Sequence, residues 1–364
     1  MKALVPRLAL RLIVPTAVPH TLGVFQYQRA EGLDAHEVVS LPPWLFHSHM
    51  TYGFNPWRVA AVLRAFQPQH VHIEEDPHSL IGVELATLAR RICPAARISF
   101  FIWDNLARRP MFPLSTVKRA LTGYSFRRCD LVICGNTEAQ QLLPGKGYDG
   151  PSVVLPQQGL DPEEYATPPD PDTRRRIRGR SPETVVVGFV GRFVPEKGIL
   201  ELLQALDGLA ALPWRCVCIG SGPLTDMLRG EWQRKFGDRL LVLDPVPHAR
   251  VAEFMKCLDI FVYYSQTTRY WKEQLGLSLV QAMLAGAACI GSSSGAIPDV
   301  IGDAGLIVPE KDGGALETAL QSLLRSASRR ESLGKLARQR ALSRYTHRVV
   351  AEQYARAFWG DSYR

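Results

Sequence analysis

Two short stretches place charge where a phosphate ester could be handled. The first reads Gly191-Arg192-Phe193-Val194-Pro195-Glu196-Lys197-Gly198. It follows an apolar strand pattern at 185–190 and precedes a helical pattern with Ile199, Leu202, Leu203 and Leu206 on one face. Arg192 and Lys197 therefore flank a glycine-bounded turn at a strand's carboxyl end. A guanidinium grips phosphate oxygens in a bidentate fork, and an ammonium adds a point charge. Two such cations could neutralise a diphosphate without a metal. A surface turn with solvated cations is the plainer alternative. A nicotinamide site is disfavoured, because Gly188-x-x-Gly191 lacks the G-x-G-x-x-G spacing.

The second stretch is Glu273-Gln274-Leu275-Gly276-Leu277-Ser278, leading into a helical pattern broken at Gly286. The backbone N–H groups of Gly276, Leu277 and Ser278 would lie free at the helix start, which is a natural phosphate site. Glu273 sits just before it and could accept hydrogen bonds from sugar hydroxyls. It could equally be only a favourable charge at a helix N-terminus. Gln281 follows two turns along.

The first half holds further candidates. A strand at 70–74 runs into Glu74-Glu75-Asp76-Pro77-His78. Three acids and a histidine in one loop suit hydroxyl binding or base assistance. They also suit a helix start with Asp76 and Pro77 as cap residues. His20 and Gly23 occupy a similar loop after the first strand. Between Asn105 and Arg128 stand six bases and no acid: Arg108, Arg109, Lys118, Arg119, Arg127 and Arg128. Met111, Phe112, Tyr124 and Phe126 are interleaved. This segment could touch an anionic membrane, or be a solvated basic helix face. No nucleic-acid motif accompanies the charge.

The elements that must carry these residues alternate between strand and helix. In the first half, strand patterns fall at 8–14, 70–74, 97–102, 130–134 and 152–155. Helical patterns fall at 56–65, 79–91, 113–126 and 137–145. Seven prolines between Pro151 and Pro182, beside a basic run, read as an interdomain linker at 167–183. The rhythm then restarts, with strands at 184–190, 214–219, 240–243, 260–263, 288–291 and 305–308. Such alternation implies parallel βαβ units. It gives an α/β fold of two doubly wound domains, 1–166 and 184–344, facing across a cleft. A helical pattern at 345–359 would pack back on the first domain. Ligands of such sheets bind beyond the strands' carboxyl ends.

Composition agrees. The chain has 364 residues, enough for two cores, and a net charge of +8 that suits a polyanionic substrate. No stretch has the apolar length of a membrane span, and the amino-terminal run is too interrupted for a signal peptide. Seven scattered cysteines favour reduced, packed thiols in the cytoplasm. The Cys216-x-Cys218 pair has no second pair, so no zinc site is expected.

Four motifs in order carry a resemblance: 191–198; Gly220-Ser221-Gly222-Pro223; 273–286; and Gly295-Ala296-Ile297-Pro298-Asp299-Val300-Ile301-Gly302. Together they resemble the family-4 glycosyltransferases, a group 1 family of the two-domain GT-B fold. The resemblance is strong over about 185–310 and looser before it. It implies that Arg192 and Lys197 bind the diphosphate of a nucleotide sugar and that Glu273 holds the sugar. Gly191, Ser221, Gly222, Gly276, Leu277 and Ser278 would line the nucleotide-sugar site, with Val246 near the base. The family's E-x7-E pattern has Gln281 in its second, ribose-binding place. Many relatives carry a histidine in a loop of the first domain. Phe101-Ile102-Trp103-Asp104-Asn105 stands there instead, with Asp104 or Asn105 available for the role. The implied reaction is metal-independent transfer of a hexose-type sugar to a hydroxyl, with retention, in glycan, polysaccharide or glycolipid synthesis. The partners would be a nucleotide-sugar donor, a carbohydrate or lipid-linked acceptor, and the inner face of a membrane. A non-catalytic sugar-nucleotide-binding subunit and a sugar-nucleotide epimerase are the rival expectations.

Overall fold

The computed structural model describes residues 8–20, 23–26, 37–44, 51–107, 114–179, 181 and 183–363. Arg108, Arg109, Met111, Phe112 and the side chain of His20 lie outside the described residues. The chain divides into two compact units, Met1–Gln157 with Ala351–Arg364, and Gln158–Val350.

In the first unit, β1 (Leu12–Pro15) pairs in parallel with β4 (Val38–Leu41), while β2 (Ala17–His20) and β3 (Gly23–Gln26) form an antiparallel pair. A parallel sheet follows in the order β5 (His70–Ile73), β6 (Arg97–Ile102), β7 (Leu131–Cys134), β8 (Ser152–Val154). The first strand thus begins four residues later than its apolar pattern suggests. Three short strands, β2, β3 and β4, escape the sequence pattern altogether.

Three helices of this unit start at side-chain caps. Asn55 accepts from the amides of Trp57 and Arg58 ahead of Pro56–Phe66, and Asn136 accepts from Ala139 N ahead of Thr137–Gln141. Ser79 caps Leu80–Ile92, and its own hydroxyl donates to the Asp76 carbonyl. Asp76 and Pro77 are therefore not the caps of this helix. A serine hydroxyl reaches the amide three residues on, and here that amide is Gly82 N. The helical pattern at 137–145 stops at Gln141, because Pro144 cannot continue it.

The second unit holds one six-stranded, all-parallel sheet. Its strands are β9 (Val185–Val190), β10 (Trp214–Ile219), β11 (Leu240–Leu243), β12 (Ile260–Tyr263), β13 (Ala288–Ser292) and β14 (Gly305–Val308). Their spatial order is β11-β10-β9-β12-β13-β14. Counted from β9 this is the 3-2-1-4-5-6 order of a doubly wound nucleotide-binding sheet. Strands of such sheets are buried on both faces and read as continuous apolar runs. Successive side chains of β9 accordingly enter different cores: Val186 joins Phe261 and Met283, while Val185, Val187 and Phe189 join Leu202 and Leu206.

The proline-rich stretch 167–183 is not an extended linker. It contains the helix Pro171–Arg178, capped by Asp170, with Pro171 in its first turn and Ile177 fully buried. Arg178 ties it down, pairing with Asp259 Oδ1 at 2.8 Å. All seven cysteines are free; six are buried and Cys129 is half-buried. Burial pushes the thiols of Cys129 and Cys257 up to about 11 and those of Cys134 and Cys289 up to about 12.

Candidate functional site

The order of the second sheet reverses between β9 and β12, which are direct neighbours. The segments leaving their carboxyl ends are the two charged motifs. Parallel α/β sheets bind ligands at such a switch point.

Glycines bring the backbones together. Gly198 has φ +70°, and a Cβ there would stand 2.0 Å from the Tyr264 carbonyl oxygen. The turn carrying Lys197 therefore seats directly on the end of β12. Gln266 N donates to the Glu196 carbonyl at 2.8 Å and closes the same junction. On the other side, a Cβ on Gly220 would meet the Gly191 oxygen at 1.9 Å, and one on Gly222 the Phe193 oxygen at 2.5 Å. Phe193 N donates to the Ser221 carbonyl at 2.9 Å. The loop after β10 is thus laid against the Arg192 turn.

The side chains converge on Lys197. Its Nζ donates to Glu273 Oε2 at 2.7 Å and to the Tyr263 hydroxyl at 3.1 Å. The ammonium also faces the rings of Trp271 at 4.5 Å and Tyr263 at 5.1 Å, each a favourable cation–π contact. Glu273 Oε2 takes a further bond from Ser265 Oγ at 2.9 Å. Both charged side chains are largely buried, 13% and 8% exposed, so losing one would strand the other. A buried charge left unpaired costs about 3–5 kcal/mol. Arg192 is exposed, and its positive charge is felt at Tyr263. Burial, then the charge of Glu273, pushes the Tyr263 hydroxyl far above its ordinary range. It stays a neutral phenol.

Gly276 has φ +80° and forms the start of the helix Leu277–Ala285, with no side chain capping that end. The first amides of a helix have no carbonyl partner within it. Gln281 lies buried on this helix beside Tyr165. Val246 packs partly buried against the core containing Met283 and Leu279. Ser221 is exposed.

The first-unit candidates are spread over several local networks. Glu75 takes a short hydrogen bond from the Tyr52 hydroxyl, and burial pushes its carboxyl up to about 7. Glu74 accepts from Gln157 Nε2 at 3.1 Å. His78 stands 4.0 Å from Asp76, and burial pushes its imidazole down to about 4. Asp104 is ion-paired with Lys146 at 3.2 Å. Asn105 is buried and donates to Glu138 at 3.1 Å. On the helix Leu114–Phe126 the basic face is narrower than the sequence suggests. Phe126 is core, and the Arg128 guanidinium folds back over the Tyr124 ring at 3.5 Å. Exposed there are Val117, Arg119 and Arg127.

Sequence reasoning missed Tyr263, Ser265 and Trp271. Tyr263 sits in an apolar strand run, where an aromatic residue reads as packing. The only available signal was its place at the end of the strand. Among the described residues, no group of three His, Cys, Asp or Glu side chains could hold a metal, and no helix is long and apolar enough to cross a membrane.

Residues 170–340 match the family described as glycosyl transferases group 1. The sulfoquinovosyl transferase SQD2 of Arabidopsis thaliana is 29% identical over 63% of this chain and 43% of its own length. The 2-deoxystreptamine N-acetyl-D-glucosaminyltransferase of Streptomyces fradiae is 29% identical over 80% of this chain and 73% of its own. The chain spans about half the length of several curated relatives it matches. Among solved structures, Anabaena Alr3699/HepE in complex with UDP superposes with a TM-score of 0.65, covering 82% of this chain and 80% of that one at 17% identity. The fold is GT-B, with two Rossmann-like α/β units.

Proposed function

Given a second unit that carries a group 1 glycosyltransferase domain, we propose that the chain is a glycosyltransferase that moves a hexose-type sugar from a nucleotide-diphosphate sugar to a hydroxyl acceptor. One observation carries this: the Lys197–Glu273 pair, beside Arg192 and an uncapped helix start, stands at the switch point of a doubly wound sheet.

Each group has a task that follows from its chemistry. An ammonium has three N–H donors. Glu273 and Tyr263 occupy two, leaving one for a phosphate oxygen. Arg192 offers an exposed fork for the other phosphate. As the sugar–phosphate bond breaks, negative charge grows on the leaving diphosphate, and these fixed cations and the helix amides stabilise it. The role is assigned to side chains and backbone rather than to a bound metal. Glu273 is placed to accept hydrogen bonds from sugar hydroxyls. When the leaving phosphate takes the incoming hydroxyl's proton, the hydroxyl attacks from the phosphate's own face, which gives retention. Gln281 approaches the ribose through its amide, and Val246 borders the base.

The acceptor side falls to the first unit. The Glu74–His78 loop at the end of β5 offers carboxyl groups to hydroxyls, with Asp104 and Asn105 nearby in sequence after β6. An acceptor tethered to anionic lipid would suit the exposed Arg119, Arg127 and Val117. Free, buried cysteines fit a cytoplasmic location.

The test is to incubate the protein with a panel of sugar nucleotides and follow nucleotide release. Release from at least one is expected. Arg192→Ala is the cleaner variant, because an exposed side chain can be removed with little effect on folding. It should lower turnover by roughly 10²–10³-fold. Lys197→Ala should do the same, checked against a melting curve because it strands Glu273. A sugar altered without acceptor-dependent release would mark an epimerase. Binding without release would mark a non-catalytic subunit. No binding of any sugar nucleotide would end the proposal.

A further inference from the structure

Tyr263 is buried at the last position of β12. Packing alone would be met there by phenylalanine, so the hydroxyl needs a separate reason. Its oxygen accepts from Lys197 Nζ at 3.1 Å, and the charge of Glu273, paired with the same ammonium, acts on it as well. A phenol has one proton to give and lone pairs to offer. Lys197 can only donate, and an ionised Glu273 can only accept. A phenol lone pair therefore faces Lys197, and the phenol proton turns away from that ammonium. The Tyr263 ring lies 2.7 Å from where a Cβ on Gly276 would stand.

We propose that Tyr263 is a positioning residue of the nucleotide-sugar site, its hydroxyl holding the Lys197 ammonium beside Glu273 while its ring abuts Gly276 at the start of the helix Leu277–Ala285. The assignment rests on the glycosyltransferase reading above. Without the hydroxyl, the ammonium and carboxylate still attract, but the ammonium loses its tie to the end of β12. Small displacements of such groups are costly in rate.

The experiment is Tyr263→Phe, which keeps the ring and deletes one oxygen. Turnover should fall about 10–100-fold, with KM for the sugar nucleotide changing less than kcat and the melting temperature nearly unchanged. In a Lys197→Ala background the same change should add little further loss, because Tyr263 acts through Lys197. Wild-type turnover in Tyr263→Phe, beside an impaired Lys197→Ala, would overturn this proposal while leaving the activity intact. Fully multiplicative losses in the double variant would overturn it as well. A collapsed melting transition would make the hydroxyl a folding group and overturn it too. If the wild-type protein releases nucleotide from no donor, both assignments fall together.

Discussion

Glu75 sits in the loop after β5, with the Tyr52 hydroxyl donating to it. Burial, reinforced by the charges of Asp76 and Glu74, outweighs that hydrogen bond and lifts the carboxyl from 4.5 to about 7. The folded protein thus holds this proton more tightly than the unfolded chain does. Between pH 4.5 and about 7 the unfolded chain gives up the proton first, so Glu75 increasingly disfavours folding as pH rises. Glu75→Gln keeps an acceptor for Tyr52 and removes the charge. It should be about neutral below pH 4.5 and more stable than wild type by about 1–3 kcal/mol above pH 7. Urea midpoints at pH 4.5 and pH 8 check this, and equal differences at the two values would refute it. The same residue shows what spacing can convey. Four neighbouring polar residues announce a charged loop, but which carboxyl is buried depends on Tyr52, which is remote in sequence. Lys197 and Glu273 were legible because glycines and strand ends bracket them. Tyr263 was not, since its neighbours in the chain are all core.

Elements differ in how openly the chain declares them. In the second unit, each strand pattern lies within a residue of the observed strand, because burial on both faces leaves an unbroken apolar run. Strands β2, β3 and β4 have only four residues each, and Pro19 interrupts one of them. The helix Pro171–Arg178 carried a good local signal, Asp170 followed by Pro171, but the density of prolines and the arginine run masked it. What holds it is distant: Asp259, at the entrance to β12, binds both Arg178 and the amide of Val186. Beyond the carboxyl end of β12, Gly276 is where the chain turns into the helix Leu277–Ala285. Gly276→Ala forces a side chain into a left-handed backbone and against the Tyr263 ring. It should cost about 1–2 kcal/mol, or a melting decrease of about 2–4 °C for each kcal/mol. Turnover should fall further than that stability loss explains, because Tyr263 must move. An unchanged kcat would show that the ring contact is idle.

The chain as a whole closes on itself within the first unit. Residues 351–364 belong to that unit although they end the sequence. Phe358 lies 3.9 Å from the His70 ring, centre to centre, and its carbonyl accepts from Arg97 at 2.6 Å. Buried beside the aromatic rings, His70 is pushed down to about 3 and remains a neutral packing residue. Phe358→Ala should destabilise the first unit by about 3–5 kcal/mol, seen as an earlier melting transition or faster proteolysis within residues 51–157. A melting profile identical to wild type would show that the terminal segment contributes nothing to that core. The tail was legible as a helix, but its partner strands were not, since contacts spanning nearly the whole chain leave no trace in local spacing.

The seven thiols have a practical consequence. Six are buried and Cys129 is half-buried, so an alkylating reagent reaches them poorly. One cysteine introduced on the surface would then outcompete all the native ones. Tyr270→Cys is well placed: Tyr270 is 74% exposed and lies one residue before Trp271, the ring that faces Lys197. A fluorophore attached there would report on nucleotide-sugar binding at the proposed site, in the otherwise unaltered protein and without a cysteine-free background.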